Sequence, residues 1–144
     1  MKNSYFDLVE QTFYFPQDGF TLDNNRLIFN GIPLYSIIKK HGTPLKLTFL
    51  PAIGEKIKQA RNWFRLAMRK HGYKGKYVYC YCTKSSHFKF VLDEVLDHDA
   101  QLETSSTFDI SLIRQLHATG KIKKNHTIIH NGFKPDDYAR GIAG

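Results

Sequence analysis

A chain of 144 residues with 42% hydrophobic and 24% charged residues is long enough for one ordinary domain with an apolar core, and too hydrophobic for a disordered polypeptide. Its longest apolar runs, such as Thr48 to Ile53, fall far short of the ~20 residues a membrane helix needs, so no membrane partner is expected. The net charge of +8 raises the question of nucleic acid, but Lys56, Lys58, Arg61, Arg65, Arg69 and Lys70 lie between apolar residues at helical spacing, as on a solvated helix face, and no nucleic-acid partner is expected.

The chain opens with MKNSYFDLVEQ, which carries acids and no apolar stretch of the kind a secretory signal needs, and this points to the cytoplasm. The first 45 residues read as irregular and aromatic-rich, with Tyr5, Phe6, Phe13, Tyr14, Phe15 and Phe20. Within them, residues 26–33 read as a short strand pair turning at Asn30-Gly31, and a short helix from Leu34 to Lys40 stops at Gly42 with Pro44 beyond. Leu45 to Leu50 is strand-like. Ile53, Ile57, Ala60, Phe64, Ala67 and Met68 then recur at intervals of three and four, which predicts a long amphipathic helix ending near Gly72. Tyr77 to Cys82 reads as a strand. Phe88, Val91, Leu92, Val95 and Leu96 form the next helical stripe, and Gln101 to Thr104 a short strand. Ser106-Thr-Phe-Asp109 is a capping box that opens a helix through Ile110, Ile113 and Leu116 to Gly120. Thr127 to His130 is a further strand, and Lys134-Pro-Asp-Asp-Tyr opens another helix.

Strand and helix thus alternate with a period of about two dozen residues, the length of a βα unit, and such units build a parallel sheet. The class is α/β, the sheet being either doubly wound or part of a (β/α) barrel. Two segments are expected, an N-terminal strand/helix leader over 1–44 and the βα units over 45–144.

In parallel βα folds reactive groups collect where strands end and loops lead into helices. Lys84, Glu103 and Asn131 fall at three such ends. Each has an ordinary explanation as well: a solvated lysine, a helix-capping acid, an Asn-Gly turn. Asp109 reads as a cap and His87 as structural. Cys80 and Cys82, two apart on one strand, face the same side and read as reduced, half-buried thiols, with no second cysteine pair to make a metal site.

The order of motifs is more telling than any single residue. Tyr81-Cys-Thr-Lys84, then Glu103-Thr-Ser-Ser106 with Asp109, then Asn131-Gly-Phe-Lys134 resemble the opening strands of the fold-type III pyridoxal-phosphate decarboxylases, the family of ornithine, arginine and diaminopimelate decarboxylases. Glu103 and the Asn-Gly-Phe-Lys run resemble the biosynthetic arginine decarboxylase branch more than the ornithine one. The resemblance spans roughly residues 45–144, and the leader also looks like that branch.

That resemblance implies a TIM-type (β/α)8 barrel, of which these residues would form an incomplete part, since a whole barrel takes about 250 residues. It implies pyridoxal 5'-phosphate held by Lys84, with Glu103 close by to set its protonation and orientation, and a small-molecule amino acid as substrate. A lysine amine holds this aldehyde covalently and exchanges it with the substrate amine; an exposed lysine titrating near 10.4 is a poor nucleophile at neutral pH, so the site must act on it. Mg2+ and a homo-oligomeric full-length protein belong to the same expectation. The family's ring-stacking histidine, phosphate-binding glycine loop and ring-nitrogen acid have no counterpart in these 144 residues, so the chain by itself is expected to be inactive. Ornithine and diaminopimelate decarboxylases, and from another class a small basic nucleic-acid-binding module, are the competing readings.

Overall fold

The computed structural model describes residues 19–143. They divide into two compact units at Thr48 and Phe49, whereas the sequence reading puts the boundary after residue 44. In the first unit an antiparallel meander of β1 (Phe20–Asp23), β2 (Arg26–Phe29) and β3 (Ile32–Pro33) leads into helix α1 (Leu34–His41). Both turns use consecutive residues in the left-handed region: Asn24 and Asn25 at φ 47° and 61°, Asn30 and Gly31 at φ 48° and 79°. Two such residues give the tight hairpin turn whose twist matches antiparallel strands, and asparagine and glycine tolerate it best. Phe20 pairs with Phe29 across the ladder, with ring centroids 4.7 Å apart. The chain at Phe20–Asp23, expected to be irregular, is therefore a strand. Tyr5, Phe6, Phe13, Tyr14 and Phe15 lie outside the described residues.

The second unit is built on a parallel sheet in the order β4 (Cys80–Cys82), β5 (Gln101–Thr104), β6 (Ile128–His130). Helix α2 (Pro51–Lys70) precedes it, α3 (Lys89–Asp97) and α4 (Thr107–Ala118) make the two crossovers, and α5 (Asp136–Ala143) follows β6. Leu45 to Leu50 is not the strand its apolar residues suggest. Among the described residues it joins no strand ladder, Leu45 and Leu47 stay exposed, and Leu50 already has helical dihedrals where Pro51 starts α2. Proline suits that first position because its missing N–H would have no helical partner.

Alternation along the strands sorts their residues into two sets. Tyr79, Tyr81, Leu102 and Ile128 pack into one apolar core with Ile57 of α2, Val91, Leu92 and Val95 of α3, and Leu116 of α4. Cys80, Cys82, Gln101, Glu103 and Ile129 lie outside that core, with Cys82, Glu103 and Ile129 in register across the three strands. Sequential parallel strands joined by right-handed crossovers put their helices on one face, which accounts for this asymmetry. The helical stripe expected along α2 is only half used. Ile57 is buried, whereas Phe64 is half-exposed and stacks on Tyr77 at 4.1 Å. At Gly54 the helix passes so close to α3 that an added Cβ would stand 2.2 Å from Nε2 of His98.

The architecture is thus mixed α/β, with a parallel three-stranded sheet and five helices among the described residues. These three strands do not close a barrel.

Candidate active site at the carboxyl rim of the parallel sheet

Each strand of the parallel sheet ends in a loop that side chains tie to its neighbour. After β4, buried Thr83 extends the ladder by one step, its N–H and its hydroxyl both donating to the carbonyl of Glu103 (3.0 and 3.1 Å). The chain then turns, with the N–H of Ser85 on the carbonyl of Cys82 and the Tyr81 hydroxyl on that of Ser86. Lys84 sits in this turn, one residue past a fully buried anchor. Its side chain is exposed, and among the described residues it has no hydrogen bond, ion pair or contact with Glu103. His87, read as structural, lies with its ring edge-on to Phe108 at 5.4 Å.

On β5, Glu103 is half-buried and its Oε1 accepts a hydrogen bond from Nδ2 of Asn131 at 2.7 Å. Its charge also reaches Cys80. Burial pushes that thiol up from its ordinary range and the Glu103 carboxylate pushes it further the same way. Cys80 is therefore a poor thiolate, and both cysteines are free and half-buried, as expected.

Beyond β5 the capping box forms. Asp109 accepts from the backbone N–H groups of Ser105 and Ser106, both at 2.9 Å, and from the Ser106 hydroxyl. Burial works to raise the Asp109 carboxyl, but these donors outweigh it and hold the group below the usual carboxylate range. Asp109 is thus the cap of α4.

The third loop reaches back over the second. The Asn131 N–H donates to the carbonyl of Thr104, Gly132 turns the chain at φ 77°, and Lys134 Nζ donates to the carbonyl of Ser105 at 2.8 Å while standing 4.4 Å from the Tyr138 ring centroid. Beneath it lies a polar triangle that sequence reasoning misses altogether. Oγ1 of Thr104, Nδ1 of His130 and the hydroxyl of Tyr138 stand 2.7 to 3.0 Å apart, with Thr104 and Tyr138 fully buried. Burial, and then the Lys134 charge, lower the His130 pKa from its ordinary value. A tyrosine amid the charged residues of DDYAR is the one sequence signal that could have pointed to it.

Of the residues singled out in the sequence, Glu103 and Asn131 are in direct contact, Lys84 follows the end of the neighbouring strand β4 with no bond to either, and Asp109 serves the serines. Two cavities of about 340 and 350 Å3 lie along the helices, the first lined by residues of α4, β6 and α5, the second by residues of α3 and α4; neither includes Lys84 or Glu103. Among the described residues no group of three or more His, Cys, Asp or Glu side chains gathers as metal ligands. None of the described helices is long and apolar enough to cross a membrane. Comparison with protein-family models, with curated proteins and with solved structures finds no match.

Proposed function

We propose that this chain is the N-terminal portion of a pyridoxal-phosphate-dependent amino-acid decarboxylase that converts arginine to agmatine and CO2 in polyamine biosynthesis. The observation that carries the reading is positional. Lys84, Glu103 and Asn131 come from three successive βα units and meet the solvent at the carboxyl ends of three adjacent parallel strands, where such folds hold their chemistry. A parallel sheet is normally covered on both faces, so strands whose alternate residues Cys82, Glu103 and Ile129 lie outside the helical core suit the inner wall of a larger (β/α)8 barrel.

The residues present fit part of what the cofactor needs. The Lys84 amine is exposed and has no partner among the described residues, so it is accessible to an aldehyde but not yet activated as a nucleophile, and its tether begins at a backbone that Thr83 fixes to β5. When bound, pyridoxal 5'-phosphate supplies that aldehyde and a ring able to accept the electron pair left as CO2 departs. Lys84 holds the cofactor. Glu103 holds or takes up a proton at the second oxygen of its carboxylate, the first being engaged by Asn131. The motifs at Glu103 and at Asn131-Gly-Phe-Lys134 resemble the arginine branch more than the ornithine one. The enzyme is cytoplasmic, acts on a free amino acid, and is a homo-oligomer when full-length.

The test is chemical. The chain is incubated with pyridoxal 5'-phosphate, reduced with borohydride and mapped by peptide mass spectrometry. Lys84 is expected to carry the label well above the other lysines, and Lys84→Arg to remove that excess. The chain alone is expected to release no CO2 from arginine, and measured release would contradict that part of the reading. Label spread evenly over the surface lysines, with salt-sensitive retention on nucleic acid, would replace the enzyme reading with a basic binding module.

A further inference from the structure

We infer that Asn131 is a positioning residue that fixes the carboxylate of Glu103 on the rim, an assignment that rests on the decarboxylase reading for its chemical purpose. A carboxylate can only accept hydrogen bonds, so the contact at 2.7 Å requires the NH2 side of the Asn131 amide to face Oε1. Asn131 is well placed to impose an orientation because its own backbone is held: its N–H donates to the carbonyl of Thr104, and Lys134, three residues on, donates to the carbonyl of Ser105. Glu103 is likewise held from the other side, where Thr83 uses both its N–H and its hydroxyl on the Glu103 carbonyl. What remains loose in Glu103 is its side chain, and the Asn131 amide is the one hydrogen bond upon it among the described residues. One oxygen is thereby tied, and the other accepts no hydrogen bond among the described residues.

A plain turn residue would explain Asn131 equally well if it stood alone, since Asn-Gly is an ordinary turn pair. The two roles diverge on Asn131→Asp. Aspartate serves such a turn about as well as asparagine, but here it would set a second carboxylate against the first and repel it. The exchange Glu103→Gln with Asn131→Asp restores a donor facing an acceptor while moving the negative charge off position 103.

Two readouts on the full chain separate this inference from the reading beneath it. In the chain without cofactor, the NMR signals of the Asn131 side-chain amide are expected to shift on Glu103→Gln; no response would mean the hydrogen bond is absent and would overturn the inference. In borohydride trapping with pyridoxal 5'-phosphate, Asn131→Ala is expected to slow labelling of Lys84 by about threefold to tenfold, the range for loss of one hydrogen bond to a charged group at a partly exposed site, with the other lysines as internal controls. Asn131→Asp is expected to be at least as slow, and the exchanged pair to stay slow although its amide contact returns. Labelling at the native rate in Asn131→Asp would overturn the positioning role in favour of a turn role. If the native chain shows no preference for Lys84 while the NMR shift is present, the decarboxylase reading falls, and with it the purpose assigned to Asn131.

Discussion

Replacing Thr104 by valine removes one hydroxyl from the centre of the second unit and keeps nearly the same volume. That hydroxyl stands 2.7 Å from the Tyr138 hydroxyl and 3.0 Å from Nδ1 of His130, at a residue with no exposed surface. Tyr138 and His130 keep each other at 2.7 Å after the change, so neither is wholly orphaned. The expected loss is therefore at the lower end for a buried polar contact, about 1–2 kcal/mol. For a unit of this size that corresponds to a melting temperature lower by about 4–15 °C, read by far-ultraviolet circular dichroism. Tyr138→Phe should cost a similar amount, and the double variant less than the sum, because the two hydroxyls share one bond. A Thr104→Val chain that melts with the native one, or a pair of variants that add without coupling, would show that the triangle does not hold α5 to the sheet.

Gly54→Ala should destabilise the second unit by about 1–3 kcal/mol, since the new methyl would strike the His98 ring, which is tied by Nδ1 to the Glu94 carbonyl; His98→Ala in the same chain should recover much of the loss in urea titrations. Asp109→Ala should cost about 1–2 kcal/mol through loss of the cap of α4, with Asp109→Asn milder, measured in the same way. Stability should also fall as the solution is acidified. Burial depresses both His130 and His126 below their unfolded value of 6.5, so the unfolded chain takes protons first and the stability these residues contribute, full above that value, drains away as pH drops beneath it. His130→Gln should flatten that decline in melts between about pH 7 and 5, and an unchanged slope would refute the assignment. A second decline should begin below the ordinary carboxyl value of 3.8, where Asp109, held low in the folded chain, starts to be protonated in the unfolded one.

Structure decided by near neighbours is legible in the sequence. The stripe over Val91–Leu96 and the capping box at Ser106 and Asp109 are each decided within a few residues and form as expected, whereas the stripe from Ile53 to Met68 makes a helix of which only the first half is buried. Where structure depends on a distant partner, the sequence is silent. Leu45 to Leu50 has the composition of a strand but no strand beside it, and composition cannot say which apolar run will find a neighbour. β1 is four residues long, too short for its alternation to stand out, and its Asn24-Asn25 turn was the better clue. The rim shows the same division. That Lys84, Glu103 and Asn131 end three strands follows from periodicity, but the bond between Glu103 and Asn131 spans 28 positions and the Thr104–Tyr138 contact 34. Nothing local could foretell that Lys84 would stay clear of its neighbour's carboxylate.

The way the third loop folds back over the second also has a temporal side. Glu103 belongs to the second strand, yet its carboxylate is oriented by a residue that follows the third. During synthesis the ribosome therefore releases the acid well before its restraint, and every chain passes through a stage in which β4 and β5 can pair while that carboxylate still swings freely. The orientation of that acid arises only once β6 has docked and brought Asn131 within reach.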